Sequence, residues 1–164
     1  MNPVRERRLR SDHAAARAVC MASRQRIVLE ECLGDPPEAY HFLYHCLGLA
    51  RIDANTPVFA EQHRVFVQFP AQYPAQPPLL RILSPVVHPH VWLNGTVCLG
   101  AWRPSEKLDS LLQRVGDILT YAPAALNWRS VANDEAAAWA RQNLDLFPLD
   151  PPLFTAIPSQ MLYL

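Results

Sequence analysis

The chain of 164 residues is 50% hydrophobic and 18% charged, a composition typical of one globular domain and unlike that of a disordered segment. Its formal net charge is zero, but the first 26 residues carry seven arginines against two acidic residues. The remainder is net acidic, so the composition argues against a protein that binds nucleic acid over its whole surface.

The first predicted element is an amphipathic helix over residues 4–24, with apolar and small residues at helical spacing and arginines on its outer face. A meander of antiparallel strands follows, and turn-forming Gly, Asp and Pro residues separate the first two. Alternation of apolar and polar residues, together with the turn residues, predicts four strands, over residues 26–32, 40–49, 58–69 and 79–83.

A long irregular loop over residues 84–103 comes next, rich in His, Trp and Cys. Loops of this length inside a compact domain are uncommon and are often functional. Helical spacing returns over residues 108–119, with Ser105 as the predicted N-cap, and a last helix is predicted from Asn133 to about residue 143.

This order of elements predicts an α+β fold with helices beside or at the ends of one antiparallel sheet. We assign residues 1–146 to a single domain and residues 147–164 to a proline-rich C-terminal extension. Because prolines favour extended backbone, we expect the extension to pack loosely or to make contacts with other molecules.

Four cysteines are present without a CxxC pair or a regular disulfide framework. The basic N-terminus is not followed by the apolar run of a signal peptide, and no stretch of about 20 apolar residues is present. We therefore expect a cytoplasmic protein with free thiols and no membrane partner.

Four motifs in the middle of the chain carry a family resemblance. The proline-rich segment 69–78 and the stretch His88-Pro89-His90, followed by Cys98, resemble ubiquitin-conjugating enzymes, in which His-Pro-Asn precedes the catalytic cysteine at the same spacing. The sequence Trp102-Arg103-Pro104 resembles the Trp-x-Pro of that family, and the helix, strand and helix order also matches over about residues 5–143.

The resemblance implies a UBC-like fold and a conjugating enzyme. Cys98 is expected to accept an activated ubiquitin-like protein as a thioester and to pass it to an amine, since a thiolate both accepts an acyl group and leaves readily. The expected partners are the ubiquitin-like protein, its activating enzyme and a protein target. No cofactor is expected on this chain, because ATP is used upstream by the activating enzyme.

His90 stands where the family has Asn, and its ring N–H is a possible oxyanion donor or a brace for the loop. Asp134 is our candidate for positioning the incoming amine, with a helix N-terminal charge as its alternative role. The residues expected to shape the loop are His88, Pro89, Asn94, Gly95 and Trp102. The residues expected to bind the activating enzyme, or else to form an ordinary solvated face, are Arg7, Arg8 and Arg10.

The gap between Cys98 and the Trp-x-Pro motif is shorter than in most of the family. In this respect the chain resembles the conjugating enzymes of bacterial ubiquitin-like operons linked to defence against phage. Lys107 is the only lysine beside fourteen arginines, which reflects either codon bias or protection from self-modification. The rival functions are a non-catalytic module that binds a ubiquitin-like protein, a zinc site using His88, His90 and Cys98, and a Cys-His hydrolase.

Overall fold

The structure, a computed structural model, describes residues 1–154. The chain order is helix, four strands, then helices, and the predicted α+β fold is confirmed. The main elements are α1 (Pro3–Ala22), β1 (Ile27–Gly34), β2 (Pro37–Asp53), β3 (Thr56–Gln68), β4 (Leu79–Ile82), α2 (Leu108–Leu119) and α3 (Asp134–Arg141). Two short 3-10 turns, Pro123–Ala125 and Leu144–Leu146, flank α3.

The four strands form one antiparallel sheet in the order β1-β2-β3-β4. Alternate residues of β2 are fully buried, among them Tyr40, Phe42 and Tyr44, because successive side chains of a strand point to opposite faces. The Tyr44 hydroxyl donates to the Leu112 carbonyl of α2 at 2.8 Å, so α2 packs on this face of the sheet. Within residues 1–154, every helix is too short or too polar to cross a bilayer.

The β2–β3 hairpin is longer than predicted and extends to a two-residue turn at Ala54 and Asn55, both with positive φ. Register irregularities lie in β2 between His45 and Gly48 and again after Leu49. A bulge adds an unpaired residue and breaks the period-two pattern, which is why alternation alone ended the predicted strand at Leu49.

The start of α2 differs from the prediction that Ser105 caps it. The helix begins at Leu108, and the N-cap residue Lys107 makes no side-chain capping bond. Instead Asp12 of α1 accepts the Leu108 N–H through Oδ1 at 2.9 Å. The free N–H group at the helix start is thus satisfied by a residue distant in sequence, which local patterns cannot show.

The first residues of the predicted C-terminal extension pack against the fold. Phe147 stacks on Tyr121 with ring centroids 4.4 Å apart, and Leu153 is buried against Gly116 of α2. Asp150 forms an ion pair with Arg26 at 3.2 Å. Residue 146 is therefore not the end of the packed structure, and the rest of the extension, residues 155–164, lies outside the described part.

Candidate active site

Cys98 follows a tight turn that begins at Trp92. The Gly95 N–H donates to the Trp92 carbonyl at 2.9 Å, and Asn94 Oδ1 accepts the backbone N–H two residues further along at 3.0 Å. Gly95 has φ +87°, and a Cβ at this position would lie 2.2 Å from the Ile82 carbonyl oxygen. Glycine is therefore required here, and the turn brings Cys98 back alongside the preceding segment.

The turn formed by residues 88–90 lies beside Cys98, whose N–H donates to the His90 carbonyl at 2.8 Å. His88 is fully buried, and its Nδ1 accepts the His90 N–H at 3.0 Å. Burial, together with the nearby His90, holds the pKa of His88 well below its usual value. The His88 ring is thus a neutral part of the scaffold that sets the backbone next to Cys98.

The segment that precedes α3 is tied to the same turn by three hydrogen bonds from its backbone N–H groups. The Pro89 carbonyl accepts the N–H groups of Ala132 and Asn133 at 2.8 and 3.1 Å. His90 Nε2 accepts the Asn127 N–H at 2.9 Å. These three bonds hold a connection of irregular backbone against the wall of the cysteine site, where the sequence predicted no specific structure.

His90 is 8% exposed, and burial lowers the pKa of its ring while a hydrogen bond to the Ser130 backbone acts in the opposite direction. Because Nε2 accepts a bond from a backbone N–H, the proton of the neutral ring lies on Nδ1. Nε2 therefore has no proton to donate to an oxyanion in this arrangement. The bond from Asn127 is the contact that a bracing role requires, while the ring N–H on Nδ1 is the donor that an oxyanion role would use, so both roles of His90 stay predictions.

Cys98 is half-buried and opens into a cleft of about 400 Å³ between the residues that follow it, α2 and the segment before α3. The lining combines polar, small and aliphatic side chains, with one charged residue among the described lining, Arg114. The lining residues are His90, Cys98, Leu99, Gly100, Ala101, Arg114, Ile118, Ala124, Ala125, Asn127 and Ser130. Asp134 is not among them: it is exposed at the start of α3.

Comparison with known proteins decides the family. Residues 43–150 match the family model described as ubiquitin-conjugating enzyme, which is more than half of the chain. The chain belongs to the ubiquitin-conjugating enzyme family. The match begins within β2, so α1 and its arginines lie outside it.

The relatives include ubiquitin-conjugating enzyme E2 T from Bos taurus, 35% identical over 74 residues, which are 40% of this chain and 38% of that protein. Ubiquitin-conjugating enzyme E2 2 from Mycosarcoma maydis is 33% identical over 95 residues, 56% of this chain and 49% of that protein. The chain thus spans about half or less of these curated relatives. The solved structure of human ubiquitin-conjugating enzyme E2 G1 aligns over 68% of this chain and 95% of its own, with 19% identity and a TM-score of 0.45.

The other cysteines of this family member lie away from the cleft. Cys46 is buried, which raises the pKa of its thiol to about 12 and keeps it protonated. Cys20 is half-buried and its pKa is also raised by burial, whereas Cys32 is exposed on β1. Cys98 alone among them shares a cleft with the turn at residues 88–90, as the sequence motif predicts.

The zinc alternative receives no support from the ring orientations. His88 Nδ1 and His90 Nε2 each accept a backbone N–H, so neither lone pair is free for a metal ion. Across residues 1–154, there is no group of three or more His, Cys, Asp or Glu side chains placed to hold a metal.

Trp102 is half-buried and anchors the segment that follows Cys98. Its indole Nε1 donates to the Pro74 carbonyl at 2.8 Å, and its ring lies 6.2 Å from that of Tyr73. These contacts join the Trp-x-Pro motif to the proline-rich segment before β4, so two of the motifs that carried the resemblance meet in space.

The arginines of α1 divide into two groups. Arg7 and Arg10 are exposed, as a docking face requires. Arg8 instead points inward, where its guanidinium pairs with buried Asp12 at 2.9 Å and donates to the Tyr73 hydroxyl at 2.8 Å. The predicted partner-binding group therefore needs correction at Arg8, because these interior bonds remove it from the exposed face.

Arg114 is the site residue that the sequence did not indicate. It lies on α2 at the edge of the cleft and donates to the Leu99 carbonyl at 3.0 Å. The amphipathic pattern of α2 places Arg114 on the polar face, which predicts only an ordinary solvent-facing arginine. Its contact with the residue after Cys98 depends on how α2 packs beside the loop, which helical spacing does not reveal.

Proposed function

We propose that this chain accepts an activated ubiquitin-like protein as a thioester on Cys98 and transfers it to an amine of a target protein, normally a lysine. The observation that carries this proposal is the placement of Cys98. In a chain of the ubiquitin-conjugating enzyme family, it is the half-exposed thiol of a cleft, and its N–H is bound to the His90 carbonyl. A buried structural cysteine would not open into such a cleft.

Each half-reaction exchanges one bond at the acyl carbon. In charging, the Cys98 thiolate attacks the thioester carbonyl held by the activating enzyme, a new C–S bond forms, and the thiolate of that enzyme leaves. In discharge, a neutral amine attacks the same carbonyl, a C–N bond forms and the C–S bond to Cys98 breaks, and the proton released by the amine passes to the departing thiolate or to water. No redox step occurs, and ATP is consumed only upstream.

A lysine side chain must first lose the proton of its ammonium group to attack, although the pKa of that group is about 10.4 in water. Asn127 and Ser130 are the polar side chains beside the cleft that are available to orient it. Asp134 starts α3 outside that lining, so its charge serves the helix N-terminus. We expect Asp134→Asn to discharge to lysine within about twofold of the parent, and Ser130→Ala to be slower.

The alternative is a non-catalytic module that only binds a ubiquitin-like protein. The two functions differ in a chemical product: the enzyme forms an adduct at Cys98 that a thiol reductant removes, whereas a binding module forms none. The accessible thiol in the cleft favours the enzyme.

We also propose a setting for this activity, a bacterial conjugation pathway that acts in the cytoplasm against phage. Its support is the short connection between Cys98 and Trp102, which resembles bacterial members of the family. The setting predicts neighbouring genes for a ubiquitin-like protein and an activating enzyme, and reduced phage plating that depends on Cys98. Unaltered plating with Cys98→Ala in an otherwise protective gene cluster would remove the antiphage setting.

A pulse-chase experiment tests the transfer itself. The chain is charged with ATP, an activating enzyme and its modifier, using a panel that includes ubiquitin and any modifier encoded nearby. ATP is then removed and free lysine is added. We expect loss of the reducible adduct at a rate proportional to lysine concentration. An adduct that forms but decays at the same rate with and without amine would contradict transfer to an amine.

A further inference from the structure

The segment between Cys98 and α2, residues 99–106, is held mainly by side chains from elsewhere. Within the described structure, its backbone makes one hydrogen bond to itself, from the Glu106 N–H to the Arg103 carbonyl at 2.9 Å. Gly100 adopts φ +65° in open space, with nothing within 4 Å of where a Cβ would lie. The position of this segment therefore depends on side-chain contacts. Trp102 holds its middle through the Pro74 carbonyl, Arg8 donates to the Pro104 and Glu106 carbonyls, and Arg114 contacts its two ends.

Arg114 bridges both ends of this segment. Its Nη1 donates to the Leu99 carbonyl at 3.0 Å, and its Nη2 donates to both carboxylate oxygens of Glu106 at 3.1 and 2.9 Å. The two charged side chains are 32% and 19% exposed, so the ion pair is only partly screened by water. A planar guanidinium with several donors can span two acceptors in this way, whereas an ammonium group acts as a point charge.

Leu99 directly follows Cys98, so the cysteine is fixed on both sides. Its own N–H is bound to the His90 carbonyl, and the carbonyl of the next residue is bound to Arg114. Displacement of either anchor would move the Sγ atom relative to the rest of the cleft. Misplacement of a reacting atom by about 1 Å can lower a rate by roughly 10².

We propose that Arg114 is a positioning residue for acyl transfer, acting through the Leu99 carbonyl to fix Cys98 in the cleft, and that its guanidinium gives the cleft a cationic wall that cannot be acylated. This inference rests on the proposed thioester function. Arginine stays protonated in proteins, so it offers no free amine to a neighbouring thioester. The single lysine of the chain, Lys107, is half-buried with its Nζ 3.4 Å from the Ser11 hydroxyl.

Two variants separate the parts of this proposal. Arg114→Ala removes the bridge, and we expect the maximal rates of charging and discharge to fall about 10- to 100-fold. The KM for the charged activating enzyme should stay within about twofold, because the effect acts through Leu99 and not through the partner. Arg114→Lys keeps the charge but loses the two-ended bridge, so its rates should fall similarly, and it should acquire a reductant-resistant modification at position 114.

Arg103, an exposed arginine of the same segment, supplies the matched control. Arg103→Ala should keep parental rates, and Arg103→Lys should show less self-modification than Arg114→Lys, because its side chain does not line the cleft. Glu106→Gln retains a hydrogen-bond acceptor but loses the ion pair, and we expect an intermediate fall in rate. Thermal unfolding of every variant shows whether a lower rate reflects a less stable fold.

Amide hydrogen exchange tests the bridge without any modifier. We expect faster exchange in Arg114→Ala at the hydrogen-bonded N–H groups of Cys98 and Glu106, which flank the bridge, and unchanged exchange in β2 and β3. Parental transfer rates combined with faster exchange would overturn the positioning role, and so would unchanged exchange. A parental chain that never forms a thioester would instead refute the proposed function, while the exchange data would still decide whether Arg114 holds this segment.

Discussion

The Nε2 atom of His90 accepts a hydrogen bond from the Asn127 N–H at 2.9 Å. This bond joins the turn beside Cys98 to the segment that leads into α3. Because Nε2 is the acceptor, the Nε2 atom of the neutral ring carries no proton and faces the segment that contains Asn127. We therefore expect His90 to affect the cysteine through the shape of its surroundings.

Substitution of His90 separates bracing from chemistry. Because His90→Ala leaves the partly buried Asn127 N–H without its acceptor, we expect a loss of about 1 kcal/mol of unfolding free energy, measured by urea denaturation. Charging and discharge should slow together. A direct oxyanion donor would instead affect discharge most, by roughly 10²–10³ in rate, at parental stability. His90→Asn, which supplies an amide oxygen, is the matched variant and should retain most of both properties.

Acid should weaken the fold before carboxylates titrate. Burial lowers the pKa of His88 and His90 relative to about 6.5 in the unfolded chain, so the folded state binds fewer protons. The stability from their neutral rings is complete above about pH 7 and is lost as the pH falls from about 6.5 toward the folded values. We expect the urea midpoint to drop between pH 7.5 and 5.5, with a smaller drop for His90→Asn. A midpoint that is constant over this range would contradict the buried neutral rings.

Two ion pairs on α1 have the same i, i+4 spacing and opposite environments. The Asp12 side chain is fully buried beside Arg8, whereas Glu6 is 42% exposed beside Arg10. Removal of one partner from a buried pair strands the other charge, so Asp12→Ala should cost about 3–5 kcal/mol in denaturant unfolding. Glu6→Ala should leave the denaturation midpoint nearly unchanged. Equal effects of the two substitutions would refute the interior role of Asp12.

The exposed arginines of α1 give a test of docking that spares the interior network. If Arg7 and Arg10 bind the activating enzyme, their joint reversal to Glu should slow charging about tenfold or more through the association rate. Added salt should slow the parent as well, since exposed charges are screened over about 10 Å at 0.1 M. Reversal of Arg51 and Arg64, exposed arginines of the sheet, is the matched control. Equal charging by both double variants would leave α1 as an ordinary solvated face.

The sequence predicted the fold and the loop best where the signal is local. Alternation located the strands, and Asn94-Gly95 located the turn that returns the chain to Cys98, because a positive φ requires particular residues. The spacing of ten residues between His88 and Cys98, with a tight turn between them, also predicted that Cys98 lies beside residues 88–90.

The remainder of the site depends on contacts between distant segments. Asp12 reads as a polar residue on a helix, yet it accepts bonds from the Tyr73 hydroxyl and the Leu108 N–H. Arg8 likewise has the sequence context of a solvent-facing arginine, yet it pairs with Asp12 in the interior. Arg114 contacts Leu99 only because α2 packs beside the loop. Helical spacing identifies the apolar face but does not show which polar residues a neighbouring segment will cover.

The most direct measurement of the central claim is the intact mass and peptide map of the chain after incubation with ATP, activating enzyme and modifier. We predict an adduct on Cys98 that a thiol reductant removes, a reductant-resistant ester on the same residue in Cys98→Ser, and unchanged charging when Cys20, Cys32 and Cys46 are replaced together. Full charging by Cys98→Ala, or an adduct mapped to one of the other three cysteines, would contradict the account.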